Sequence, residues 1–332
     1  MCRQALSWMC ALAAVLAATG GCSKKSDGSG SATRAAPGGS AEPAVAGATK
    51  LTVAGIAIVD CAPVFLAKQK GFFSEQNLDV TVQTTQGGAE SVPGVVSGQF
   101  QFAFANVVSL LLAHAKGLQL KLIAPGNFST GKAEDFGAII VTADSPAKTL
   151  KDLEGKTLSV NQINNIGGVT VRAAMRKAGA DPDKVKLIEV SFPQMPAELA
   201  QKQIDAAWVV EPFLTVARNQ GARVLDWNFA DAAPTLMIAA YFTTEDYARN
   251  NPDIVKRFTA AIGKSLSYAA DHPDDVRAAL LTFTKIDKAV ADKINLPLFL
   301  PQIRRESIDV LADLMVQDKL LTSKPDIDAL LR

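Results

Sequence analysis

The chain has 332 residues, 48% hydrophobic and 20% charged, the composition of a globular protein with length for two core-forming units. Its formal net charge is +1, with no basic stripe, which excludes an electrostatic footprint for nucleic acid. Of the four cysteines, Cys2 and Cys10 lie in an apolar leader and Cys22 just beyond it, so Cys61 is alone in the body and an intrachain disulfide framework is excluded.

Arg3 opens a thin positive region, and residues 5–18 form an apolar run too short to span a bilayer as a mature helix. Small residues then lead into Cys22. The stretch resembles a bacterial lipoprotein signal, with Thr19 standing where a leucine-like residue is preferred; the other reading is an ordinary secretory signal cut nearby. Residues 1–21 are therefore expected to be a signal peptide and Cys22 the lipidation site. Residues 22–49, rich in Gly, Ser, Ala and Pro, are expected to be a flexible tether. On this reading the protein is exported and lipid-anchored to the membrane.

From residue 50 strands alternate with short helices. Strands are predicted at 51–56, 80–84, 100–105 and 120–124, and helices at 63–70, 90–97 and 107–116. Pro63 suits a first helical turn, Asn106 an N-cap, and Gly71, Gly98 and Gly117 helix ends. The pattern restarts with strands at 157–160, 185–190, 206–210 and 222–225 and helices at 169–177, 196–202 and 212–219. QFQFAFANVVSLLLAHAKG and QIDAAWVVEPFLTVARNQG share a strand–turn–helix–Gly layout at equal spacing, which supports two lobes of similar wiring. A strand at 235–243 precedes helices at 253–270, 274–283, 288–293 and 308–317. The alternation argues for mostly parallel α/β sheets.

PVFLAKQKGFFSEQNLDVTV, then VSGQFQFAFANVVSLLLAHAKGLQLKLIA, LKDLEGKTLSVN, LAQKQIDAAWVVEPF and NPDIVKRFTAAIGKSLSYAADHPDD resemble, in this order, the nitrate/sulfonate/taurine class of ABC-importer substrate-binding proteins, related also to thiamine-pyrimidine-binding proteins. The resemblance covers nearly all of residues 51–331. It implies an α/β, two-lobed periplasmic-binding-protein-like (type II) fold: two mostly parallel doubly wound sheets, a hinge of two crossings, and extra C-terminal helices on lobe 1. Crossings near 142–148 and 226–235 place 50–142 and 235–332 in lobe 1 and 143–234 in lobe 2. The implied partners are a small-molecule ligand, an ABC permease with its ATPase, and the membrane through the lipid; a monomer is expected. The alternatives are a lipoprotein that senses a ligand for a signalling receptor, and a family-related enzyme such as a pyrimidine synthase or a lyase.

In open α/β sheets ligands sit beyond the carboxyl ends of the strands. In lobe 1 that selects Asp60 and Cys61, Gln86, Gly87 and Gly88, Asn106, Asn127 and Phe128; in lobe 2 it selects Asn164, Asn165, Ile166, Gly167, Trp208 and Glu211. VNQINNIGG opens a helix whose first N–H groups lack intrahelical partners and could hold a polar or anionic group. The plainer reading is that Asn165 and Asn106 only cap helices and the glycines only turn the chain. Trp208 offers an aromatic wall or packs in the core, and Cys61 is either a contact or a small apolar filler. Asp60 and Glu211 either both face inward, favouring a ligand with N–H or ammonium groups, or are solvated loop charges or part of a salt bridge across the hinge. Replacing Asn165 and Trp208 by Ala is expected to weaken binding with thermal stability nearly unchanged.

The cleft loops contain no Arg, which disfavours nitrate; a zwitterionic aminosulfonate and an amine-bearing pyrimidine fit equally well. G-x-G-x-x-G, C-x-x-C, H-E-x-x-H and EF-hand spacings are missing, so no cofactor or metal is expected. His114 and His272 lie away from the cleft loops, which argues against a nucleophile pair and against catalysis.

Overall fold

A computed structural model describes residues 47–331. The expected signal at 1–21, the lipidation at Cys22 and most of the tether lie outside the described residues. No described helix is long and apolar enough to cross a membrane.

Strands β1 (Thr49–Gly55), β2 (Leu78–Thr84), β3 (Phe102–Asn106), β4 (Leu120–Phe128) and β10 (Met237–Thr244) form one sheet in the order β2-β1-β3-β10-β4. Strands β5 (Gly137–Val141), β6 (Thr157–Val160), β7 (Lys186–Glu189), β8 (Ala206–Val210) and β9 (Arg223–Asp226) form the other, β7-β6-β8-β5-β9. The two orders are equivalent strand for strand, and β3 and β8 hold the same central place. Both come from the two stretches of matching layout, and the glycines that close their helices, Gly117 and Gly221, have φ of 87° and 94°. A residue with a Cβ is strained there, so glycine ends both helices.

One strand in each sheet runs against the rest: β10 is antiparallel to β3 and β4, and β5 is antiparallel to β8 and β9. Each is the first strand after the chain changes sheets. Such a strand enters at the edge facing the other lobe, where the parallel strands end, so it must run away from that edge. β5 corrects two expectations. GAIIV at 137–141 was not predicted as a strand, and it belongs to the second sheet. The first crossing is therefore 129–136 rather than 142–148, and the second sheet takes its first strand at residue 137. The second crossing, between β9 and β10, covers 227–236, close to its predicted place.

The helices are α1 (Ala62–Gln69), α2 (Gly88–Val96), α3 (Val107–Ala115), α4 (Ile166–Lys177), α5 (Met195–Ala200), α6 (Phe213–Asn219), α7 (Asn228–Ala232) and, after β10, α8 (Glu245–Asn250), α9 (Pro252–Asp271), α10 (Pro273–Phe283), α11 (Lys288–Ala291), α12 (Arg305–Gln317) and α13 (Ile327–Leu331). α9 and α10 pack on α1, as the tail was expected to pack on lobe 1. There Phe258 stacks between Phe73 and Phe102, with centroids at 5.5 and 4.0 Å. Aromatic stacking of this kind adds about 0.5–1.5 kcal/mol beyond the buried area. The rest of the tail reaches further than expected. Leu298 pairs with Phe128 at the hinge, and α12 packs on both α3 and α4.

Candidate functional site

The carboxyl ends of the two sheets face each other, and the lobes touch there. The Ala89 N–H and the Asn161 side-chain amide each reach across the seam, to Gln162 Oε1 and the Gln86 carbonyl, both at 3.4 Å. Gly87 has φ of 146°, and a Cβ there would stand 2.6 Å from Gln162 Oε1, so glycine is required for this approach. Beneath the seam lies a cavity of about 30 Å³ lined from both lobes. That is room for about two water molecules. A six-membered ring enters only when the lobes part. Larger hollows, more open to solvent, measure about 220 Å³ within the second lobe, about 230 Å³ between the lobes where Gly88, Ser109, Asn164 and Asn165 line it, and about 350 Å³ beside Asn164, Arg172 and Asp318.

The walls are apolar and aromatic. Phe104 and Ile238 come from the first sheet, Trp208 and Val210 from β8, Phe192 from the loop between β7 and α5, and Phe229 from α7. Phe192 and Phe229 pack against Trp208 with centroids at 5.5 and 5.7 Å. The polar lining residues are Asp60, Asn106, Asn161 and Asn165, with no Lys, Arg or His among them.

Asp60 is 3% exposed. Asn127 donates to its Oδ1 at 3.0 Å, whereas Oδ2 is buried without a partner. Loss of solvent around the carboxylate pushes its pKa up to about 7, further raised by the nearby Asp135 charge. Trp208 Nε1 and Asn161 Oδ1 are also buried without partners. Unsatisfied buried polar atoms cost about 1–3 kcal/mol each, so three of them on residues lining one cavity make those residues candidates for ligand contact.

Asn106 and Asn165 both cap and line. Asn106 Oδ1 accepts from the Ser109 N–H at 3.0 Å at the start of α3, and Asn165 caps α4 through the Ile166 N–H. Both helix N-termini thus point at the cavity from opposite lobes, where their partial positive charge favours acceptor atoms. Asn165→Ala is expected to cost about 1 kcal/mol in a denaturant melt, the price of a lost cap, and to weaken ligand binding as well.

Other predicted contacts are placed elsewhere. Cys61 is fully buried in the first-lobe core, its thiol pushed up to about 12 by burial. Asn127 stands behind Asp60 and orients it. Phe128 is fully buried and its backbone pairs with Leu298. Gln86 stays at the outer seam, and Gly88 packs on Ser109, which a Cβ would approach to 2.4 Å. Asn164, at φ 58°, is exposed and lines the neighbouring hollow of about 230 Å³ between the lobes rather than the enclosed cavity. Ile166 does line the cavity.

Gly167 serves a different purpose from the one expected. A Cβ there would stand 2.3 Å from Trp208 Cε3, so the glycine admits the indole rather than a ligand. Gly167→Ala is expected to destabilise the fold by about 1–3 kcal/mol through overpacking, read as a fall in the unfolding midpoint.

Glu211 is turned away from the cavity. Its carboxylate accepts from the Thr215 N–H at 3.0 Å, the Thr215 hydroxyl at 2.8 Å and the Asn295 N–H at 3.2 Å. Burial pushes it up to about 7 despite those bonds. It ties the end of β8 to the C-terminal tail. Phe229, Ile238 and the neighbouring Ala239 were missed because they sit in or just after the second crossing, at the start of a strand rather than at its carboxyl end. Among the described residues no group of three or more His, Cys, Asp or Glu is placed to hold a metal ion.

Residues 58–276 match the model of a family described as NMT1/THI5 like. The chain is 24% identical over 213 residues to YtlA of Bacillus subtilis, covering 64% of this chain and 63% of that protein, so it spans less than two thirds of that relative. It is 25% identical over 263 residues to the formylaminopyrimidine-binding protein of Halalkalibacterium halodurans, covering 76% of this chain and 73% of that one. It is 20% identical over 223 residues to THI11 of Saccharomyces cerevisiae, a 4-amino-5-hydroxymethyl-2-methylpyrimidine phosphate synthase, covering 64% of each. Among solved structures, the ligand-binding component of an ABC-type import system from Staphylococcus aureus superposes with a TM-score of 0.75 at 15% identity, over 86% of this chain and 96% of that one. The periplasmic aliphatic sulphonate binding protein SsuA from Escherichia coli gives 0.71 at 18%, over 85% and 92%. At these identities the superpositions establish the two-lobed fold.

Proposed function

Because the chain belongs to the NMT1/THI5-like family, we propose that it is the substrate-binding component of an ABC importer, taking a small amine-bearing heteroaromatic ring between its lobes. The observation that carries this reading is the chemistry of the interlobe cavity: aromatic walls, one buried carboxylate with an unused oxygen, and no cationic side chain in the lining. A flat ring would slide along Trp208 and Phe192, its amine donating to Asp60 and its ring nitrogens accepting at the helix N-termini. A nitrate or sulfonate would instead meet the Asp60 carboxylate with nothing but helix dipoles to offset it. The relative named for formylaminopyrimidine binding supports the same ligand class.

Binding rather than turnover is supported by the relatives and structural neighbours named for binding. The relationship to THI11 keeps a synthase as the competing reading. Export, a lipid on Cys22 and delivery of the ligand by the monomer to a membrane permease complete the proposal, the anchor resting on the stretch from residue 5 to Cys22. In the open form one lobe takes the ligand, and contacts from the other shift the population toward closed; only the difference in affinity between the two forms drives closure.

A thermal-shift panel of amino-substituted pyrimidines, taurine, alkanesulfonates and nitrate tests the ligand class. A ligand present at 100 times its Kd stabilises the native state by about 2.7 kcal/mol. The aminopyrimidines are expected to raise Tm and the anions to leave it unchanged. A rise with sulfonate or nitrate alone overturns the assignment, as does product formation from the shifting compound.

A further inference from the structure

Asp318 follows α12 as its C-cap, and its side chain is 1% exposed. A carboxylate at a helix C-terminus faces the negative end of the dipole, so this position works against α12 rather than for it. What neutralises it comes from the other lobe: Arg172 Nε and Arg176 Nη1 of α4 donate to Asp318 Oδ1 at 3.0 and 2.6 Å. Arg172 is itself steadied within its own lobe by the Pro182 carbonyl at 3.2 Å and by Asp183. α12 packs on α3 and, through α13, is joined to β4 of the first lobe. The cluster therefore spans the two lobes at a distance from the cavity lining, with its arginines on α4, one of the two helices whose N-termini meet the cavity, and its carboxylate at the end of α12.

We propose that Asp318 with Arg172 and Arg176 is an interlobe latch that sets how often the closed lobes open, whatever the cavity takes. A buried ion pair that loses one partner while staying buried is costly, but parting the lobes returns all three groups to water together. The latch then acts only through the difference between closed and open, which is what decides a population. It also acts on α4, so opening there withdraws Asn165 and Trp208 from the first lobe in the same movement. This proposal goes beyond the ligand assignment and stands without it.

The test is hydrogen–deuterium exchange on the full ligand-free chain carrying Asp318→Asn. Amides at the seam, in segments 86–90 and 161–166, are expected to exchange about tenfold faster, equivalent to about 1.4 kcal/mol, with β1 and β6 unchanged. Arg176→Gln, which leaves Arg172 on Asp318, is expected to give a smaller rise in the same segments. Unchanged seam exchange in a folded variant overturns the latch. So does a uniform rise across the chain, which would make the cluster a general stabiliser. If Asp318→Asn does not fold, Arg176→Gln decides by the same criteria.

Discussion

Trp208→Ala is expected to lower the stability of the folded chain by about 3–5 kcal/mol and to remove ligand binding with it. The residue reads in the sequence as a cleft wall that could be cut back at little cost to the fold. In the structure it is 2% exposed, packed between Phe192 and Phe229, and set over the bare Cα of Gly167. Truncation leaves a cavity bounded by groups from three segments, none of which moves in freely. Denaturant melts should show a lower midpoint with the slope preserved, since the surface exposed on unfolding hardly changes. Trp208→Phe should recover most of the stability. A denaturant midpoint for Trp208→Ala equal to the parent's would show that the indole is not a core residue.

Asp60→Asn is expected to stabilise the protein at pH 8 and to damage its binding. A carboxyl whose pKa rises on folding, from its ordinary value of 3.8 to about 7, keeps its proton in the native state where the unfolded chain has already lost it. Stability therefore falls as pH rises from about 4 to about 7 and is flat above, with a ceiling on the order of 4 kcal/mol for this one group. Glu211 and Asp226, also pushed up to about 7 by burial, slope the same way, so the parent should melt higher at pH 5.5 than at pH 8. The asparagine variant should lose part of that slope and keep the rest. A charge-assisted bond is worth about 1.5–3 kcal/mol, so affinity for an amine-bearing ring should fall roughly 10- to 100-fold. In the parent that affinity should climb as pH passes 7 and Asp60 ionises. Parallel pH–stability curves for the two proteins would remove Asp60 from this role.

The caps were legible because capping is local. Asn106 and Asn165 each bond an N–H within three residues, so residue type and spacing announce them without knowledge of the fold. Asp60 and Glu211 were not separable in this way. Both are carboxylates at the ends of strand-like runs, and both lose their water. One keeps an unused oxygen at the cavity because only Asn127 reaches it; the other is consumed by Thr215 and by Asn295, a residue 84 positions away. The glycines divide similarly. Gly117 and Gly221 are required by their own backbone angles, whereas Gly167 is required by an indole 41 residues further on in the chain, a contact no local pattern contains.

By itself the sequence determined the alternation of strands and helices, the doubled wiring of the two halves and the chain segments that meet at the strand ends, because hydrophobic period, caps and helix-ending glycines are short-range physics. The tertiary structure alone decided where the chain first crosses, which carboxylate faces the cavity, that Trp208 is as much core as wall, and that the C-terminal helix α12 grips both lobes. Each of these depends on which distant groups compete for the same buried space and the same hydrogen bonds, and that competition exists only once the sheets have formed and closed on one another.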